Sequence, residues 1–458
     1  MNYQPSTYRP LTFFDAREAF QSGTDSPEAY LDRCLATINE REPTVKGWVV
    51  LNEEGARQAA AASAARYKAG TPRSRIDGMP IGIKDLIETK DMPTQMGSPA
   101  FEGNFPKRDS AIVRALRDAG AIVLGKTVTT ALGFLDPGPT TNPFDASRTP
   151  GGSSSGSGAV VGAGMVPVAI GSQLVGSILR PASFSANWAI KPTFGAINRG
   201  ERLGFSQSHL GVHAGSAIDM WETASEIVLR AGGDPGHPGL RGAIAAPSPV
   251  KPATLAVFEP EHWHTLDTES LRAFEQALDT LAGQGVTIKR RADSAKIAAL
   301  ERAIADCASL SMRIIAREQY WSLQNLIEQH PGTLGPSLIN QLKLGESVSL
   351  EDYRGALLQR DAARKTLSEL ANECDALISL TAVGPAPRID AIKDSAYPTG
   401  DVSFSCVSSL LGAPAVNVPA LAVAGMPLGI QILGQWHADE TVAGIGNWVH
   451  DVLVSRNA

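Results

Sequence analysis

The chain has 458 residues, 43% of them hydrophobic and 19% charged, and its 41 basic and 47 acidic side chains leave a net charge of -6. Typical domains run to ~150 residues, yet one large α/β domain can span this length. The 44 glycines and 30 prolines exclude a plain helical bundle, and the mild acidity argues against a chain-wide nucleic-acid footprint, which needs clustered Lys and Arg.

Residues 1–20 carry Arg9, Asp15, Arg17 and Glu18 and lack the continuous apolar stretch of a secretory signal, so a cytoplasmic location is expected. Cys34, Cys307, Cys374 and Cys406 lie far apart with no C-x-x-C pair, which fits reduced thiols better than a disulfide framework or a zinc site. Ser26-Pro27-Glu28 supplies an N-cap and a first-turn proline for a helix running toward Asn39. The alanine-rich run Glu53–Lys68 predicts a second helix, stopped by Gly70 and Pro72. Strands and helices then alternate: strand Met79–Ile83, helix Ser110–Ala119, strands Ala121–Leu124 and Val166–Ile170, helix Ala217–Arg230, strand Leu255–Phe258.

From about Leu266 to Asn372 the pattern turns mostly helical, with amphipathic spacing in Leu271–Leu281, Ile297–Leu326 and Tyr353–Leu370. Ala376–Leu380, Ala415–Val418 and Leu428–Leu433 return to strand patterns. The uncharged stretch from Val402 to His437 reads as buried strands and loops, because Pro414, Asn417, Pro419 and Pro427 interrupt any spanning helix. The expected architecture is α/β, a single large domain whose mixed, twisted central β-sheet is flanked by helices on both faces. Within it we expect an N-terminal helical region at 1–75 and a core at 76–260. A mainly helical insert or cap follows at 261–372, and 373–458 completes the core sheet.

The segment Thr149–Leu179 has no charged residue and is crowded with Gly and Ser, which lets backbone N–H groups approach a ligand closely. It lacks the lysine of a phosphate-binding P-loop and the register of a dinucleotide fingerprint; a flexible linker is the bland alternative. Lys84 ends the apolar run Met79–Ile83. A lysine drawn inside by a buried strand loses solvation, so its neutral amine can act as a base. Pairing with neighbouring Asp85 is an equally open reading.

Gly78–Asp85, Thr149–Gly156 and Gly171–Pro181 together resemble the amidase signature family in order and separation. Pro137–Pro143, Lys191–Gly195 and Leu410–Val416 extend the resemblance over most of the chain outside the helical stretch. The family uses a Ser-Ser-Lys triad whose serines are 24 residues apart, and 24 positions separate Ser153 from Ser177. The resemblance implies Ser177 as nucleophile, Ser153 as bridging serine preceded by a cis peptide bond, and Lys84 as general base. It implies an oxyanion hole from the N–H groups of Leu174, Val175, Gly176 and Ser177. Ser154, Gln173, Arg180 and Phe134 are expected around the substrate, with Met96 close to the acyl pocket.

Two departures stand out. Val175 replaces the first glycine of a pair common in the family, and a position needing φ > 0 would strain it. Arg180 follows Ser177 by three residues, as in a branch that uses this arginine on a substrate carboxylate; tying down the loop is the alternative. His209 and His213 lack a third ligand, so no metal is expected, and no cofactor is implied. The expected activity is hydrolysis of a small carboxylic amide through a Ser177 acyl-enzyme. Alternatives are esterase or aryl-acylamidase activity at the same site, a role as the A component of a tRNA-dependent amidotransferase complex, or an inactive amide-binding relative. The expected partner is a small-molecule amide, with no nucleic acid or membrane, and a homodimer is left open.

Overall fold

The computed structural model describes residues 2–200 and 204–454. Its strands are β1 (Trp48–Leu51), β2 (Pro80–Lys84), β3 (Ile122–Thr127), β4 (Val168–Gln173), β5 (Trp188–Lys191), β6 (His209–Ala214), β7 (Thr254–Val257), β8 (Thr287–Lys289), β9 (Ala376–Leu380), β10 (Ala415–Val423) and β11 (Met426–Leu433). All join one sheet in the order β1-β3-β2-β4-β6-β5-β10-β11-β9-β7-β8. Parallel pairs β2–β3, β2–β4, β7–β8 and β7–β9 sit beside antiparallel ones, so the sheet is mixed. Its halves meet where β5 pairs with β10, through Lys191 and Ala415, which binds the last stretch of chain to the first half.

The pleat sorts side chains. On β2, Ile81 and Ile83 face a core shared with the helices Ala111–Asp118 and Ala217–Ala231. Alternation sends Gly82 and Lys84 to the other face. That face is covered by the wholly buried helix Ser155–Gly162. The Gly-Ser segment is therefore packed structure rather than a linker. A side chain on Gly158 would begin 3.0 Å from Pro181 Cβ, so glycine there sets how closely this helix approaches the helix Leu179–Phe184.

Most expected elements form within a few residues of their expected limits, and Glu53–Lys68 and Ala376–Leu380 match end to end. β1, β5, β6 and β8 are additional strands: β1, β5 and β8 run for only three or four residues, and β6 mixes two histidines and a glycine into a fully buried strand. Ser403–Leu411 is a helix where strands and loops are expected; buried all round, it shows no polar face to betray its period. Ile297–Leu326 divides into the helices Ala295–Ala303 and Cys307–Gln329, and Pro336–Ser347 adds another. The stretch 261–372 also carries β8, which pairs with β7 and so belongs to the sheet. Among the described residues, no helix is long and apolar enough to cross a membrane.

Candidate active site

Lys84 is wholly buried at the end of β2, against the turn that opens the helix Ser155–Gly162. Its Nζ lies 2.7 Å from Ser153 Oγ, 3.0 Å from Ser154 Oγ, 3.0 Å from Ser172 Oγ and 3.3 Å from Ser172 O. None of these partners is charged. The neighbouring Asp85 turns away, its carboxylate paired with Lys126 at 2.9 Å and accepting from Gln95 N at 3.0 Å. The open pairing of Lys84 with Asp85 is thus decided against. Desolvation with no compensating anion holds the Lys84 amine well below the usual lysine range.

The Gly152–Ser153 peptide bond is cis, at the position the resemblance implies. Ser154 N donates to Ser177 O at 3.3 Å, which sets the two serine-bearing turns side by side. Ser153 and Ser177 are both buried. Ser177 Oγ makes no hydrogen bond to another described residue, so it is the member of the trio left uncommitted. Ser172 completes the lysine's surroundings. It lies within the third motif, but its only sequence signal is a hydroxyl at a strand end, and the resemblance gives it no role.

The loop Leu174–Ser177 connects β4 to the helix Leu179–Phe184. Among the described residues, the N–H groups of Val175, Gly176 and Ser177 make no backbone hydrogen bond. Val175 does not take up positive φ; the glycine requirement falls one residue later, where Gly176 has φ 154. The expected strain at Val175 is absent, and its side chain lies in an apolar cluster with Leu179, Val407 and Leu410. Gln173, expected at the substrate, is spent inside the protein. Its Oε1 accepts from Ile178 N at 2.9 Å and Leu179 N at 3.1 Å, while its Nε2 donates to Ser409 Oγ at 3.0 Å. It clamps both ends of the loop instead.

Arg180 is buried beneath the same loop. Its Nη2 donates to Gly152 O at 2.6 Å and Thr399 Oγ1 at 3.1 Å, and its Nε donates to Thr399 O at 3.2 Å. Burial pushes its guanidinium down to about 10. Nη1 has no hydrogen-bond partner. The arginine thus braces the turn before Ser153 and keeps one donor in reserve.

A cavity of about 600 Å³ adjoins the end of β2, lined among others by Leu86, Met96, Ile112, Leu132, Phe205 and Leu210. Lys84, Ser153 and Ser177 do not line it, but a side chain on Gly133, next to Leu132, would begin 3.7 Å from Ser153 Oγ and collide with Leu86 of the lining. Met96 and Leu132 both lie in the left-handed region, at φ 57 and φ 50, and Leu132 N donates to Met96 O at 2.8 Å. Such backbone at non-glycine residues concentrates at functional sites. Phe134, expected at the substrate, does not line this cavity. It is buried with Leu135, Leu323 and Leu338, joining the turn to the helical insert. His209 and His213 are buried on β6; the His213 ring has no hydrogen-bond partner among the described residues, and burial pushes it down to about 3.

A buried lysine amine, held well below its usual range, on a serine and beside a second serine in a loop of free N–H groups is the kind of arrangement that serine-dependent acyl transfer uses. The Amidase family model matches residues 29–443, and the chain belongs to the amidase signature family. It is an enzyme acting on carbon–nitrogen bonds. It is 31% identical over 480 residues to the A component of the glutamyl-tRNA(Gln) amidotransferase of Chloroflexus aggregans, covering 95% of this chain and 95% of that protein. The protein of that name from Roseiflexus sp. is 30% identical over 473 residues, again covering 95% of each. Among solved structures, an amidase crystal structure superposes with TM-score 0.82 at 26% identity, covering 97% of this chain and 100% of that one. The peptide amidase of Stenotrophomonas maltophilia superposes with TM-score 0.79 at 24% identity, covering 98% of each, and shows the shared fold.

Proposed function

We propose that the protein is an amidase that hydrolyses the C–N bond of a small carboxylic amide through an acyl-enzyme on Ser177, with Ser153 and Lys84 as proton relay. The observation that carries this reading is the 2.7 Å approach of the buried, uncompensated Lys84 Nζ to Ser153 Oγ. The Ser153 hydroxyl donates into the amine lone pair, and the Ser177 hydroxyl in turn gives its proton to Ser153. Ser177 Oγ attacks the amide carbon, forming a C–O bond and a tetrahedral oxyanion. In this reading the N–H groups of Leu174, Val175, Gly176 and Ser177 stabilise the developing charge; each aimed donor in such a hole is worth about 3 kcal/mol. The relay returns a proton to the nitrogen, the C–N bond breaks and the amine leaves. Water then repeats the path and releases the acid. The apolar walls at Leu86, Met96 and Leu132 suit an aliphatic or aryl portion of the substrate.

The test is a panel of aliphatic, aryl and dicarboxylic monoamides scored by ammonia or amine release, with fluorophosphonate labelling alongside. Release and labelling are expected in the wild type and lost in Ser177→Ala. A folded wild type that neither releases amine nor takes up label would overturn the reading.

The names of the relatives favour a second reading, in which the chain is the A component of an amidotransferase complex. Amide hydrolysis that appears only after a partner protein co-purifies would support it, whereas turnover by the isolated chain favours the free amidase.

A further inference from the structure

Cys307 opens the helix Cys307–Gln329 of the insert, and Cys406 lies in the helix Ser403–Leu411. They stand 99 positions apart in the sequence, yet their sulfurs are 2.8 Å from each other. Both side chains are wholly buried, and both are free thiols. A disulfide bond is about 2.05 Å long, so the two sulfurs already stand within about 1 Å of bonding distance. The pair sits between two functional parts of the fold. Ser405, next to Cys406, accepts from Gln173 Nε2 through its carbonyl at 3.4 Å, and its side chain fills the space beside Gly176. Cys307 lies at the root of the helix that carries Leu323 onto the Phe134 turn.

We propose that Cys307 and Cys406 form an oxidisable dithiol, a modification site at which hydrogen peroxide produces one intramolecular disulfide that ties the helical insert to the helix beneath the Leu174–Ser177 loop. In the first step one sulfur attacks peroxide and breaks the O–O bond, giving a sulfenic acid and water. In the second, the other sulfur attacks the sulfenic sulfur, forms the S–S bond and expels a second water. Two thiols are oxidised, and one peroxide is reduced to two waters. The thiolate is the reactive form. Burial pushes the Cys406 thiol up, so the reaction is slow and follows local opening of the interface.

The experiment exposes the folded full-length protein to peroxide, quenches it, and counts alkylatable thiols after denaturation. The four free cysteines of the untreated chain are expected to fall to two, with a Cys307–Cys406 linked peptide in a non-reducing digest. The unfolding midpoint is expected to rise by several degrees and to return on reduction, since a cross-link over so long a loop restricts the unfolded chain. Cys406→Ser should abolish the linked peptide and the shift. The double variant Cys34→Ser with Cys374→Ser keeps the pair and should retain both. Persistence of all four thiols in the folded protein, or linkage through Cys34 or Cys374, or sulfinic acid without the linked peptide, would overturn the proposal.

Discussion

Lys126 Nζ and Asp85 Oδ1 form a buried ion pair at 2.9 Å, and this pairing is what leaves Lys84 without a counter-ion. Lys126 also donates to Thr94 Oγ1 at 2.6 Å and to Pro93 O at 3.1 Å, so its charge is fixed in place. An Asp85 carboxylate freed from Lys126 would lie one residue from Lys84 with no cation of its own. Lys126→Met is therefore expected to favour protonated Lys84, moving the rising limb of the pH–rate profile to higher pH and lowering kcat/KM at neutral pH roughly ten-fold per unit of that shift. It should also destabilise the fold by about 3–5 kcal/mol, because a buried charge loses its partner. Adding Asp85→Asn removes the freed anion and should return the profile toward its original position. A pH–rate profile unmoved in Lys126→Met would show that Asp85 has no influence on the amine.

Lys84 itself links activity to stability. In an unfolded chain a lysine titrates near ~10.4, whereas burial holds this one well below that in the folded protein. Between the two values the unfolded chain binds one more proton than the native state. This group's contribution to stability therefore rises with pH, by at most about 1.4 kcal/mol per pH unit, and is complete only above the unfolded value. Lys84→Met abolishes that titration. The stability of the variant minus that of the wild type is expected to fall as pH is raised from about 7 toward about 10, whatever constant offset the orphaned serines introduce. Urea unfolding at several pH values measures it, and a constant difference would mean that the amine titrates normally. In the wild type kcat/KM should rise with pH through the depressed folded value and then level off; the variant should lose about 10²–10⁴ in rate.

The loop after β4 yields a contrast between adjacent residues. A side chain on Gly176 would collide with Ser405 and begin 3.0 Å from Arg180 Nη1, at a φ of 154. Gly176→Ala should distort the free N–H groups and lower kcat by about 10²–10³, the scale of a lost oxyanion donor. Val175 needs no special backbone. Val175→Ala should keep kcat within about three-fold and cost about 1–2 kcal/mol of stability from the small cavity it leaves. Equal loss of kcat in both variants would place the critical conformation at the wrong residue.

The three positions proposed as the triad stand out in the sequence because each lies in a segment of unusual composition, and the β-strand period carries Lys84 to the same face as the Gly-Ser helix. The surroundings of the triad are not. Lys126 reaches Asp85 only through the β2–β3 register, which pairs Ile83 with Lys126, and no local pattern announces that alignment. Gln173 and Phe134 are drawn toward the substrate by their place in or near the motifs, but burial and hydrogen bonding turn both inward. The sulfurs of Cys307 and Cys406 illustrate the same limit, since sequence separation says nothing about which helices a cap and a core will bring together. Strands as short as Thr287–Lys289 hold their place through pairing rather than through periodicity.

Arg180 separates support from recognition. Its bonds to Gly152 O, Thr399 O and Thr399 Oγ1 brace the turn that presents Ser153, while Nη1 is unspent. Bracing acts on every substrate alike. Arg180→Leu is thus expected to lower kcat for neutral and acidic amides by similar factors, on the order of 10-fold or more, because a displaced Ser153 weakens the relay whatever the acyl group. Recognition would look different: a guanidinium that binds a substrate carboxylate through Nη1 would, when removed, raise KM for acidic amides and leave neutral ones nearly untouched. Measuring kcat and KM separately for a dicarboxylic monoamide and an uncharged amide of similar size distinguishes the two. A loss confined to KM of the acidic substrate would refute the bracing role as the dominant one and assign Nη1 to the substrate.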